Sequence, residues 1–155
     1  MQLYVICSVI VVLLATLTQD ARADSLTLLK PNATDKPHVG VVFIQGTQIV
    51  TKAYIPLMEK LQSTAAPYFS VFASVPAFVL SIPEPAQIGS CVSSAKKAMY
   101  AAGLDKEAPI VVMGHSLGGI MGQDYVFSHK DEVSLCVEVL SLAVVATHVC
   151  CETQG

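Results

Sequence analysis

Residues 108–119 read APIVVMGHSLGG. The run 110–114 is short, apolar and rich in valine and isoleucine, which suits a strand buried on both faces. From Gly118 to about Ser128 the spacing changes to that of a helix, with Ile120, Met121 and Tyr125 on its inner face. Ser116 stands at the junction, inside a Gly-x-Ser-x-Gly pattern completed by Gly114 and Gly118. A strand that turns directly into a helix holds its apex residue in a strained conformation and crowds the positions two before and two after it. A side chain at either position would collide with the turn, so glycine there is a steric requirement.

The same alternation extends upstream. HVGVVFIQG (38–46) reads as a buried strand ending at Gly46. Tyr54, Leu57, Met58 and Leu61 then form one helical stripe, and Pro56 confines the helix start to near Ile55. YFSVFASVP (68–76) is the next strand candidate, closed by Pro76. Prolines 76, 83 and 85 make the following segment mostly loop, with a short extended piece expected at 78–82. A helix is expected from about Ala86 to Ala102, with Ile88, Cys91, Val92, Ala95 and Met99 on one face and Gly103 as its terminal cap. Strands alternating with helices imply right-handed crossovers. The expected fold class is α/β, a three-layer α/β/α arrangement with a mainly parallel sheet, in one domain over 24–155.

At such a turn the Ser116 hydroxyl projects from the carboxyl edge of the sheet, where open parallel sheets bind ligands. The helix beginning at Leu117 aims its free N–H groups and positive dipole end at the same place, which favours an oxyanion. The Leu117 N–H is then one oxyanion donor. The second is expected from the loop after the first parallel strand, QGTQ (45–48), where the Thr47 N–H is the candidate.

Over His38 to about Asp131 the sequence resembles the α/β-hydrolase superfamily, in particular its dienelactone-hydrolase-like and lipase-like serine esterases. VVFIQG looks like the family's oxyanion strand and loop, and VVMGHSLGG like its nucleophile elbow. The resemblance implies an eight-stranded sheet, a serine–acid–histidine triad and a small-molecule ester or lipid substrate. Ser116 would be the nucleophile.

The family's order places the acid and the histidine after the serine. His115 lies inside the elbow, with its ring expected to point away from the serine hydroxyl. His129 ends the following helix and His38 precedes a strand, both away from the active edge. His148 is the one downstream histidine left, a weak candidate because no acid lies between the apolar run before it and a suitable loop. Asp124 and Asp131 read as solvated or capping residues. Triad acid and base are therefore unassigned, and a serine without a base is a poor nucleophile at neutral pH. A catalytically inactive truncated hydrolase or a binding protein is the alternative reading.

The segment 133–155 opens like a further strand and then stays apolar up to a Cys-Cys pair. It can be read as a strand plus a short helix, or as a membrane-seeking segment, against which Glu138 counts. The favoured reading is a replaced C-terminal tail, which explains the missing triad members and late strands together.

At the other end, an apolar run followed by ARA at 21–23 reads as a secretory signal peptide over 1–23. A secreted product with no stable membrane span after cleavage is expected. Asn32, in Asn-Ala-Thr, is then a glycan acceptor candidate. Cys91, Cys136, Cys150 and Cys151 allow three pairings, and a buried free thiol at Cys91 is an equal alternative. The chain is 53% hydrophobic and 14% charged with net charge −3, which excludes disorder and gives no electrostatic reason to expect nucleic acid. There is no metal-ligand cluster and no phosphate-cradling loop, so neither metal nor cofactor is implied.

Overall fold

The apolar runs do become strands. A computed structural model describes residues 25–131 and 133, together with the strand backbones 135–139 and 146–149. The elements are β1 (Thr27–Leu29), β2 (His38–Ile44), α1 (Ile55–Ala65), β3 (Ser70–Val75), α2 (Pro85–Ala101), β4 (Ile110–His115), α3 (Leu117–Ser128), β5 (Leu135–Val139) and β6 (Ala146–Val149). Their order across the sheet is β1-β3-β2-β4-β5-β6. The four inner strands are mutually parallel, while β1 and β6 pair antiparallel at the edges.

Pleating sends alternate residues to opposite faces, and both faces are covered. Val41, Phe43, Val71, Ala73 and Val75 pack under α1 with Tyr54 and Met58. Val42, Ile44, Phe72 and Val112 pack under α2 and α3 with Val92, Met99 and Tyr125. Phe43 and Phe72, one for each face, are almost wholly buried, and each burial stabilises the fold by about 2–3 kcal/mol. This is the three-layer α/β/α arrangement expected from the sequence.

Pro56 and Pro85 sit in the first turns of α1 and α2, where a missing N–H costs no helical bond. Gly103 ends α2 in the left-handed region at φ 112°, and the Leu104 N–H returns to the Met99 carbonyl at 3.0 Å.

Two local expectations are corrected. Residues 78–82 are not one extended piece: Phe78 and Ile82 are extended, but Val79–Ser81 between them form a tight 3-10 turn with Leu80 and Ser81 at positive φ. Ile120 does not face inward but is 55% exposed. α3 packs instead through Gly118, Gly119, Gly122 and Tyr125, because its glycines let the helix approach Ile44 and Val112 closely. The three-residue β1 carries too short a pattern to be read as a strand beforehand.

Topology fixes where a site can form. The chain leaves β2 through α1 to reach β3 on one side, then returns over α2 to β4 on the other side of β2. The carboxyl ends of β2 and β4 are therefore adjacent at the switch point, where such sheets open a crevice. Loop 45–48 leaves one end and Ser116 caps the other.

Candidate functional site

Ser116 has φ 53° and ψ −125°, a conformation that costs a non-glycine residue about 1–3 kcal/mol. Two glycines make it reachable. A Cβ on Gly114 would stand well under 3.0 Å from the backbone of Gly118 and Gly119. A Cβ on Gly118 would meet the carbonyls of Ile44 and Gln45 equally closely. The turn can close only because both side chains are absent. The Ser116 side chain is exposed and makes no cap bond to its own helix.

Loop 45–48 lies against this turn. The Gly46 N–H donates to the Tyr54 hydroxyl at 2.7 Å, and that hydroxyl lies 3.1 Å from His115 Nδ1. Gln48, at φ 61°, donates its N–H to the Ser81 carbonyl at 2.8 Å. Among the described residues nothing accepts the Thr47 N–H. The Leu117 N–H begins α3 and so has no acceptor within the helix. The two candidate oxyanion donors thus belong to adjoining strand ends.

Burial raises the Tyr54 pKa, and the bond from Gly46 opposes that only in part, so the phenol stays a neutral O–H. The sequence showed Tyr54 only as one residue of an apolar stripe. Its hydroxyl role depends on a partner 61 residues away, and the signal that points to it is that a buried tyrosine oxygen needs a polar neighbour.

The histidines fall apart from Ser116. His115 faces Tyr54, as its expected orientation required. His38 Nδ1 lies 3.0 Å from an Asp105 carboxylate oxygen at the amino end of β2. His129 Nδ1 contacts the Tyr125 carbonyl at 2.9 Å, and its ring stacks on Tyr125 at 4.2 Å. Among the described residues no histidine bonds the Ser116 hydroxyl. The backbone of His148 lies on β6, two strands from β4, and its side chain lies outside the described residues. Asp124 and Asp131 are exposed.

Cys91 is half-buried and a free thiol, with its sulfur 3.5 Å from the Ala77 carbonyl. The side chain of Cys136, and Cys150 and Cys151 altogether, lie outside the described residues, as does the 1–23 segment. Asn32 is exposed on the loop between β1 and β2. A cleft of about 510 Å³ lies beside it, lined by Lys30, Gln62 and Ser70, remote from Ser116 at the amino ends of β2 and β3. Among the described residues no three His, Cys, Asp or Glu gather to hold a metal ion, and no helix is long and apolar enough to cross a membrane.

No protein-family model matches the chain. No curated protein matches it in sequence. Solved structures do share its shape. A carboxyl esterase from Bacillus coagulans matches with TM-score 0.54 at 12% identity, over 73% of this chain and 38% of the esterase. A probable hydrolytic enzyme from Pseudomonas aeruginosa matches with TM-score 0.51 at 16% identity, over 74% of this chain and 35% of that enzyme. The chain therefore spans little more than a third of the length of these structures. At such identities the likeness speaks for architecture, and the architecture is that of the first strands and helices of the α/β-hydrolase fold.

Proposed function

We propose that this chain carries the nucleophile and oxyanion half of a serine hydrolase acting on carboxylic esters or lipids. The observation that carries the reading is the strained backbone of Ser116 between a buried parallel strand and a helix. Strain of this kind persists only where the surroundings enforce it, and here two glycines and the carbonyls of β2 do so. Ser116 attacks the acyl carbon, and the Leu117 and Thr47 N–H groups receive the oxyanion. One such donor contributes about 3–4 kcal/mol to transition-state stabilisation. The general base and its acid come from outside the described residues. The reading includes export, with 1–23 as a signal peptide and exposed Asn32 as the glycan acceptor.

A second reading is favoured by the histidines. All three whose side chains are described are engaged elsewhere, at Tyr54, Asp105 and Tyr125. On that reading the chain holds an acyl compound without turning it over. Hydrolysis of a series of nitrophenyl esters by the 155-residue chain and its Ser116→Ala variant separates the two. Turnover lost in Ser116→Ala supports the hydrolase. A folded chain whose rate equals that of its variant contradicts it and leaves the binding reading.

A further inference from the structure

The Tyr54 side chain joins three parts of the chain through one hydroxyl: the residue before α1, loop 45–48 and the end of β4. Resting on the reading of Ser116 as nucleophile, we infer that Tyr54, anchored on His115, is a positioning residue that sets where the Thr47 N–H stands relative to Ser116.

The polarity of the connection follows from the atoms. A backbone N–H can only donate, so the Tyr54 oxygen accepts from Gly46 at 2.7 Å. The hydroxyl proton is then available to His115 Nδ1 at 3.1 Å, a direction that goes with the tautomer whose proton is on Nε2. The phenol is itself held. It is 3% exposed, and its ring lies 4.7 Å from that of Phe43. His115 is the residue before Ser116, so the anchor reaches the elbow directly.

Two consequences bear on the oxyanion. The Gly46 N–H is consumed by Tyr54 and cannot serve the site. Thr47 then stands between two pinned amides, Gly46 on Tyr54 and Gln48 on the Ser81 carbonyl. Among the described residues its own N–H has no acceptor. Gly46 also has to be glycine for this arrangement, because a Cβ there would come within 2.6 Å of His115 Nδ1 and push the ring off the hydroxyl. Oxyanion donors act by preorganisation, so an amide released from its anchor loses effect without any loss of substrate contact.

The test uses the full chain and two readouts: hydrogen exchange at amides 46–48, and the rate at which a fluorophosphonate probe labels Ser116. Tyr54→Phe keeps the ring and removes the hydroxyl. It is expected to speed exchange at Gly46, whose N–H loses its acceptor, while leaving β4 protected, and to slow labelling roughly tenfold. His115→Asn, which retains an acceptor near the Nδ1 position, keeps the wild-type rate, whereas His115→Leu reproduces the loss. This pair also decides the matter should Tyr54→Phe fail to fold. Unchanged exchange at Gly46 in Tyr54→Phe, or equal labelling of His115→Asn and His115→Leu, overturns the inference. A wild-type chain that takes no label overturns the nucleophile reading instead. Exchange at Gly46 then judges the anchor alone: faster in Tyr54→Phe upholds it, unchanged overturns it.

Discussion

The Cα of Gly118 lies against the carbonyl oxygens of Ile44 and Gln45, with no space for a side chain between them. This contact ties the first turn of α3 to the end of β2 and so brings the two candidate oxyanion donors to one place. Gly118→Ala should therefore destabilise the fold by about 3 kcal/mol or more, since the opposing atoms are backbone and cannot step aside. Gly89 is the control. It lies inside α2 with nothing within 4 Å of a built Cβ, so Gly89→Ala should stabilise by about 0.5–1 kcal/mol. Urea unfolding of the two variants checks both signs. Equal stability of the two would show that the close approach at Gly118 does not exist.

The positive φ of Ser116 makes a second prediction. Ser116→Gly and Ser116→Ala both remove the hydroxyl, but only glycine relieves the backbone. Ser116→Gly should be more stable than Ser116→Ala by about 1 kcal/mol, after its larger unfolded-state entropy is allowed for. Thermal unfolding in parallel is sufficient. An alanine variant as stable as the glycine variant would mean that the turn is not strained.

Leu80 is another non-glycine residue held at positive φ with its side chain in solvent, 83% exposed. Leu80→Gly loses little packing and gains conformational ease. A stability gain of about 0.5–1 kcal/mol is expected from denaturant titration. A clear loss would indicate that Leu80 has a packing partner.

Much of this was legible in the sequence because it is local. Pro56, Pro85 and Gly103 punctuate the helices where the structure begins or ends them, and the glycines of the elbow announce its sterics. What was hidden is non-local. The inner face of α3 was misread at Ile120 because apolar spacing marks a core face only where side chains make the contact. α3 makes much of it with Gly118, Gly119 and Gly122 beside Tyr125, and Ile120 is left outside. The turn at Val79–Ser81 was misread because its left-handed residues, Leu80 and Ser81, are not the types that usually signal one. The Tyr54–His115 pair was invisible because nothing in either local pattern refers to the other.

Tyr54 also gives a pH dependence. Its ordinary pKa of 10.0 is raised in the folded chain by burial. Between 10.0 and the raised value the unfolded chain has lost this proton while the folded chain keeps it. Stability therefore falls as pH rises through that window. Tyr54→Phe has no proton there to lose, so its stability should fall less steeply above pH 10.0 than that of the wild type. Urea midpoints between neutral and alkaline pH measure the difference in slope, and parallel curves would contradict it.

The central claim is that Ser116 is a poised nucleophile. It is tested most directly by incubating the full chain with a fluorophosphonate probe and locating the adduct by peptide mass spectrometry. The account predicts one adduct per chain, on Ser116, absent from Ser116→Ala and blocked by prior unfolding. A folded chain that remains unlabelled at Ser116, or is labelled equally in Ser116→Ala, would contradict it.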